Sequence, residues 1–158
     1  MIQEFLTQGK AIPASRPRTA MNFRSKNGGF FIYKPKDDIA WQNSIATQVL
    51  SQKPVCFDRE TPIKVVSFLF FKKPEKATYE YPISHNLGDN DNIEKNIFDA
   101  LQSKTVKVGK LKVKQKGLCF EDDCQIVSTV CRRFYTLKDD YLVLRITDEI
   151  YNKEVEWL

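Results

Sequence analysis

The sequence is poor in the side chains that usually bind zinc. It contains one histidine, His85, and four cysteines, with no CxxC pair among them. Structural zinc sites need four closely grouped Cys or His ligands, so the composition argues against a zinc centre. The cysteines are expected to be reduced, mostly buried thiols that behave as small apolar side chains: Cys56, Cys119, Cys124 and Cys131.

Long apolar runs are also missing. No run approaches the ~18 residues that a membrane-spanning helix requires, and Met1–Phe5 has neither the basic stretch nor the apolar stretch of a secretory signal. We therefore expect a cytoplasmic protein without a membrane partner. A chain of 158 residues, 42% of them hydrophobic, is expected to form one globular domain over residues 1–158, in which the tail from 148 to 158 has no assignment.

Positive charge exceeds negative charge, with 25 Lys and Arg residues against 20 Asp and Glu residues. This balance is compatible with a polyanionic partner such as DNA. Lysines at alternate positions would share one face of an extended segment and could follow phosphates, although a solvated loop is an equally good interpretation. The candidate DNA contacts are Arg16, Arg18, Lys110, Lys112, Lys114 and Lys116.

Hydrophobic patterning predicts the main elements. The run from 63 to 71 is almost uninterrupted by polar residues, as expected of a central strand covered on both faces. The prolines at 74 and 82 predict a loop from 72 to 88. The remaining elements are strands at 2–8 and 30–33, helices from 36 to about 50 and from near Asp91, and a hairpin of strands 125–135 and 141–147.

Carboxylates recur in two short stretches. Asp89, Asp91 and Asp99 belong to the first, and Asp122 and Asp123 to the second. In a chain of net charge +5, carboxylates gathered at one place repel each other unless a cation lies between them. Mg²⁺ is the simplest such cation, because hard oxygen ligands hold it for phosphoryl chemistry. The arrangement suggests a metal-dependent nuclease.

The second helix is expected to be amphipathic. At 100° per residue, Asp91, Lys95 and Asp99 lie opposite an apolar face. An ammonium group one turn from metal ligands can stabilise the charge that develops during phosphodiester cleavage. The apolar face consists of Ile93, Ile97, Ala100 and Leu101.

Simpler interpretations exist for each acidic residue. Asp91 and Glu94 fit a helix capping box, and Asp99 with Lys95 fits a surface ion pair. A calcium loop of the EF-hand type is excluded, since Glu94 stands where its sixth-position Gly should be and Ala100 where its twelfth-position Glu should be. A Toprim-like site is disfavoured, because here the DxD motif leads directly into a helix.

Taken together, the motifs resemble those of the RusA-type Holliday-junction resolvases, small endonucleases common in phages and prophages. The resemblance covers most of the chain to about residue 147. It rests on three segments: Gly9-x-x-Ile12-Pro13-x-x-Arg16-Pro17-Arg18 with Tyr33-x-Pro35, then Asp89-x-Asp91-Asn92-x-x-Lys95-x-x-x-Asp99-Ala100-Leu101, then Asp122-Asp123-x-Gln125-Ile126.

This resemblance implies an α+β fold with a small mixed sheet flanked by two main helices. It implies metal-binding carboxylates at Asp89, Asp91 and Asp123, with Asp122 as a further candidate, and a catalytic lysine at Lys95. The cofactor would be Mg²⁺, for which Mn²⁺ can substitute. The partners would be a four-way DNA junction and a second copy of the chain, since resolution takes paired incisions in recombination and repair.

Two features depart from the family pattern. The segment from Leu101 to Asp122 is longer than the compact linker of the family and holds the lysines, and Phe120 occupies the aromatic position before the acidic pair. The alternative to a resolvase is a non-catalytic, architectural DNA-binding protein of the same fold with a structural metal site.

Overall fold

The computed structural model describes residues 1–15, 18–22, 29–33, 35–83, 87–108 and 111–150. In these ranges the chain forms a mixed four-stranded sheet, two helices and two small hairpins, which confirms the α+β class. The elements are β1 (Ile2–Gln8), β2 (Arg18–Asn22), β3 (Gly29–Tyr33), α1 (Lys36–Ser51), β4 (Ile63–Lys72), α2 (Asn90–Leu101), β5 (Lys104–Val108), β6 (Leu111–Gln115), β7 (Ile126–Thr136) and β8 (Tyr141–Thr147).

The main sheet has the order β1-β8-β4-β7, and β4 lies centrally between an antiparallel and a parallel neighbour. Alternate residues of β4, such as Val65 and Leu69, are fully buried on the face that the helices cover. The other face was predicted to be covered too, but it is half-buried: the Phe70 ring stacks on Tyr141 at 4.3 Å and on Phe134 at 5.3 Å.

The predicted hairpin of the last two strands is wrong. β7 pairs with β4 in parallel and β8 pairs with β4 in antiparallel orientation, so β4 separates them. The connection crosses the end of β4, where Lys73 N donates to Thr136 O at 2.9 Å and Lys72 N donates to Asp140 Oδ1 at 2.5 Å. Alternation along a strand indicates its buried face and says nothing about its neighbour.

The lysine segment, for which a solvated loop was one interpretation, is largely a β-ribbon of β5 and β6. The two chain segments that lead into and out of this ribbon lie close together, because a Cβ added to Gly117 would lie 2.9 Å from Ser103 N. Leu118 N also donates to Leu101 O at 2.8 Å, which ties the returning chain to the end of α2. In the described ranges, no helix is long and apolar enough to cross a membrane.

Candidate active site

Helix α2 carries the first acidic stretch and has the predicted amphipathic form. Asp91 and Lys95 are exposed and Asp99 is half-buried on the solvent side. The opposite side packs into the core against the sheet and α1 and is buried at Ile93, Ile97, Ala100 and Leu101. Because Asp91, Lys95 and Asp99 are each one turn apart, the lysine lies between the two carboxylates along the helix.

The alternative interpretation of Asp91 and Glu94 as a capping box is wrong. Asp89 is the N-cap of α2, with an extended backbone, and its carbonyl accepts from Ile93 N at 3.2 Å. Its side chain makes no capping hydrogen bond. Asp89 and Asp91 are both exposed, and neither carboxylate caps the helix.

The segment before α2 is held by close packing and backbone hydrogen bonds. Gly88 has a φ of +67°, and a Cβ there would lie 2.4 Å from the Cβ of Pro13. The N-terminal loop continues along α2, where Ala14 N donates to Asn92 O at 2.8 Å. On the other side, Arg133 of β7 donates to Gly88 O and to Asn90 Oδ1. The sequence analysis did not identify Gly88 or Arg133.

The second acidic pair lies in a short 3-10 turn, Asp123–Gln125, between the ribbon and β7. Asp122 caps this turn: its Oδ1 accepts from Cys124 N at 3.1 Å. Buried Gln125 anchors the turn, because its Oε1 accepts from Asp122 N at 3.1 Å and its Nε2 donates to Asp58 O at 2.7 Å. The structure therefore gives Asp122 a capping role and leaves Asp123 exposed.

Asp123 is connected to the C-terminal end of α2. Its N–H donates to Gln102 Oε1 at 3.1 Å, and Gln102 Nε2 donates to Asp99 Oδ1 at 3.1 Å. Although Asp123 is exposed, partial desolvation of its carboxyl, a hydrogen bond with Asp122 and the charges of Asp122 and Asp99 raise its pKa. The N–H of Cys124 lowers the pKa of Asp122. Asp99 is thus a neighbour of Asp123. The sequence had not assigned a role to Asp99.

The predicted ligands Asp89, Asp91 and Asp123 are not gathered into one group. Across the described residues, no three Asp, Glu, His or Cys side chains lie close enough to share a metal ion. The reason is the length of α2: about 12 Å of helix rise separates Asp91 from Asp99, and Asp123 lies near Asp99.

Asp99 and Asp123 instead lie close together at the C-terminal end of α2, whereas Asp89 and Asp91 belong to its N-terminal end. Proteins commonly hold Mg²⁺ with one or two carboxylates, completed by water and substrate phosphate. The pKa of Asp123 is raised first by desolvation and then by its neighbours Asp122 and Asp99, and a divalent cation beside these carboxylates would relieve their repulsion. The donor chemistry therefore fits Mg²⁺, and the assignment of individual ligands stays a prediction.

Glu94 is a buried carboxyl on α2 that the sequence did not indicate as a core residue. It is 8% exposed, and its Oε1 has no hydrogen-bond partner. Burial, and secondarily the charge of Asp91, raise its pKa, while a hydrogen bond with Thr129 opposes the shift. Its position next to Ile93 and Ile97 on the apolar side of the helix was the signal that could have identified it.

The basic residues are only partly described. Lys112, Lys114 and Lys116 are exposed on or just after β6, and Lys114 Nζ lies 3.5 Å from Glu121 Oε2. Arg18 is the first residue of β2. Arg16 and Lys110 lie outside the described residues.

Comparison with known proteins identifies the family. The family model of the RusA endodeoxyribonuclease matches residues 9–147. The chain belongs to the RusA endodeoxyribonuclease family. The match includes both acidic stretches, Lys95 and the ribbon, and it confirms the resemblance predicted from the motifs. No significant match was found among curated proteins.

Proposed function

We propose that this protein is a Mg²⁺-dependent, structure-selective endonuclease that resolves Holliday junctions by paired phosphodiester hydrolysis. The observation that carries the proposal is membership of an endodeoxyribonuclease family over residues 9–147. The stripe of Asp91, Lys95 and Asp99 on the solvent side of α2 supports it, because Asp91 and Lys95 are exposed and carboxylates beside a lysine suit metal-dependent phosphodiester cleavage. Since the substrate is DNA, we place the activity in the cytoplasm.

The roles of the residues follow from their charges. Asp89 and Asp91 at the start of α2, and Asp123 beside its end, would each contribute to holding metal, which when bound supplies charge neutralisation at the phosphate and an activated water. Asp99 joins these candidates because it lies beside Asp123. The Lys95 ammonium would stabilise negative charge that develops on the reacting phosphate.

The proposed substrate and assembly rest on the need for two incisions. One small chain offers one such stripe, whereas symmetric resolution needs two incisions on opposing strands. We therefore propose a symmetric homodimer on a four-way junction, with the ribbon lysines and the N-terminal Arg16 and Arg18 contacting the DNA arms. We also propose a role in DNA recombination and repair, in a phage or prophage as the family resemblance implies.

Cleavage of a synthetic four-way junction tests the proposal. In Mg²⁺ the protein should cut the junction in preference to a fork or a linear duplex of the same sequence, and chelation should stop cleavage. Asp89→Asn, Asp91→Asn and Asp123→Asn should each remove most cleavage and leave junction binding intact, since asparagine keeps the shape but loses the charge that attracts the metal. Lys95→Ala should lower the rate by about 10²-fold.

Asp37→Asn is the matched control, because Asp37 is an exposed carboxylate in the first turn of the other helix. It should cleave at the wild-type rate. If the wild-type protein binds the junction but cuts none of the substrates with Mg²⁺ or Mn²⁺, the architectural alternative is correct. If Asp91→Asn cleaves normally, the catalytic role of the α2 stripe is wrong.

A further inference from the structure

Arg133 lies on the helix-facing side of β7. Its partner in the β4–β7 register is Leu69, which is fully buried on that side, whereas the preceding Arg132 pairs with Phe68 on the opposite face. An arginine directed toward the interior needs acceptors for its guanidinium group. The acceptors it finds are at the start of α2.

The guanidinium of Arg133 donates two hydrogen bonds, one to each of the residues that flank Asp89, and we call this pair of bonds the fork. Its Nε donates to Asn90 Oδ1 at 2.5 Å and its Nη2 donates to Gly88 O at 2.6 Å. These acceptors belong to the residues immediately before and after Asp89. A third bond reinforces the connection, because Asn90 Nδ2 donates to Cys131 O at 3.3 Å. The segment around Asp89 is thus tied to β7 on both sides.

The Asp89 side chain itself stays open. It makes no capping bond to α2, and it lines a surface pocket of about 450 Å³ together with Tyr81, Asn90 and Arg133. The backbone on either side of Asp89 is held, while the residue itself is exposed at a pocket that a ligand can enter. Preorganised carboxylates of this kind keep their geometry without reorganisation when a substrate binds.

We propose that Arg133 is a positioning residue that holds the Asp89 carboxylate in place for metal binding and phosphodiester cleavage. This inference rests on the proposed function. The fork requires two N–H donors in a fixed plane, which arginine has and lysine lacks. The positive charge alone does not suffice, and Arg133→Lys should behave like Arg133→Met.

Steady-state cleavage of a four-way junction, with Mg²⁺ varied, is the first measurement. Arg133→Lys and Arg133→Met should each lower kcat by roughly 10- to 100-fold and raise the Mg²⁺ concentration needed for half-maximal rate, with KM and junction binding nearly unchanged. Arg132→Met is the matched control, because it removes the same charge from the adjacent, exposed position on the other face of β7. It should cleave like the wild type.

Two measurements do not depend on cleavage. Mn²⁺ binding to the DNA-free protein, followed by electron paramagnetic resonance, should weaken in both Arg133 variants. Hydrogen exchange of the peptide spanning Gly88–Ile93 should accelerate in them and stay unchanged in Arg132→Met. Asn90→Ala should lower kcat as well, and the double variant Asn90→Ala/Arg133→Met should be little worse than either single one, because both remove the same fork.

The outcomes separate the two proposals. If the wild type cuts no junction, the proposed function fails, and Mn²⁺ binding and hydrogen exchange still decide the role of Arg133. Wild-type kcat in Arg133→Met, full activity in Arg133→Lys, or a loss confined to junction binding would each overturn the positioning role. A variant that is merely less stable, with normal kcat below its unfolding temperature, would overturn it too.

Discussion

At the scale of single residues, α2 gives two carboxyls one turn apart opposite environments. Asp91 faces solvent, while Glu94 is buried against β7 with one oxygen that has no hydrogen-bond partner. A buried carboxylate without full hydrogen bonding destabilises the folded state, and the group avoids this penalty by holding its proton. The raised pKa of Glu94 follows from that burial.

The pH dependence of folding should report this group. An acid whose pKa is higher in the folded state contributes stability that is fully present below its unfolded pKa, about 4.3, and is lost as the pH rises through the folded value. Glu94→Gln removes the titration, so the variant should gain on the order of 1 kcal/mol relative to the wild type at pH 7.5 and much less at pH 4. Urea unfolding at the two pH values measures the difference.

Glu80→Gln is the control for that experiment, because Glu80 is exposed in the loop between β4 and α2. Its stability relative to the wild type should be the same at both pH values. If Glu94→Gln is less stable than the wild type at pH 7.5, the buried carboxylate is satisfied in the native protein and the argument from its burial is wrong.

At the scale of elements, the start of α2 depends on a glycine. Gly88→Ala meets two obstacles, a positive φ and a Cβ within 2.4 Å of Pro13. We expect a loss of about 1–3 kcal/mol in stability together with reduced cleavage, because the displaced residue precedes Asp89. Urea unfolding and junction cleavage measure the two effects.

Gly9→Ala separates backbone strain from the clash. Gly9 has a φ of +114°, yet a Cβ there meets nothing within 4 Å, so this variant should lose stability while cleaving normally. The second-site change Pro13→Gly should restore cleavage to Gly88→Ala by relieving the clash. If Gly88→Ala alone cleaves like the wild type, close packing at Pro13 is not needed to place Asp89.

The ribbon of β5 and β6 is an element with a separable role. Replacing residues 104–116 by two glycines should leave the fold intact, since Ser103 and Gly117 are adjacent, and should weaken junction binding. Neutralising Lys110, Lys112, Lys114 and Lys116 should flatten the salt dependence of binding, by about 0.9 in the log–log slope for each phosphate that the protein no longer neutralises. Fluorescence anisotropy over a range of salt concentrations measures the slope.

Neutralising four exposed lysines elsewhere controls for net charge: Lys10, Lys36, Lys53 and Lys138. Their replacement should change the slope less than replacement of the ribbon lysines. Because Lys114 already lies beside Glu121, its contribution should be the smallest of the ribbon set. An unchanged slope in the ribbon variant would mean that these lysines are only solvated.

At the scale of the whole molecule, the proposed chemistry requires two copies. Sedimentation equilibrium should show a dimer, and one junction should bind two chains. A mixture of wild-type and Asp91→Asn chains should give junctions nicked on one strand, because a mixed dimer has one active site. A monomer in both the free and the junction-bound state would contradict the paired-incision proposal.

The sequence by itself determined most of the main helices and strands, and the family. The buried face of α2 and the central position of β4 were predicted correctly, because hydrophobic patterning records which residues of an element are buried. The motifs around Asp89 and Asp122 were enough to indicate the family that residues 9–147 match. These signals are local in the chain, so they can be read before any tertiary contact is known.

Only the tertiary structure decided how distant segments meet. It inserted β4 between β7 and β8, brought Asp123 to Asp99, and closed the Arg133 fork around Asp89 across more than forty residues of chain. Neither spacing nor composition determines such contacts, since each depends on how whole faces pack together. In the sequence, Arg133 cannot be distinguished from its exposed neighbour Arg132. Only the register of the sheet assigns each of the two to a face.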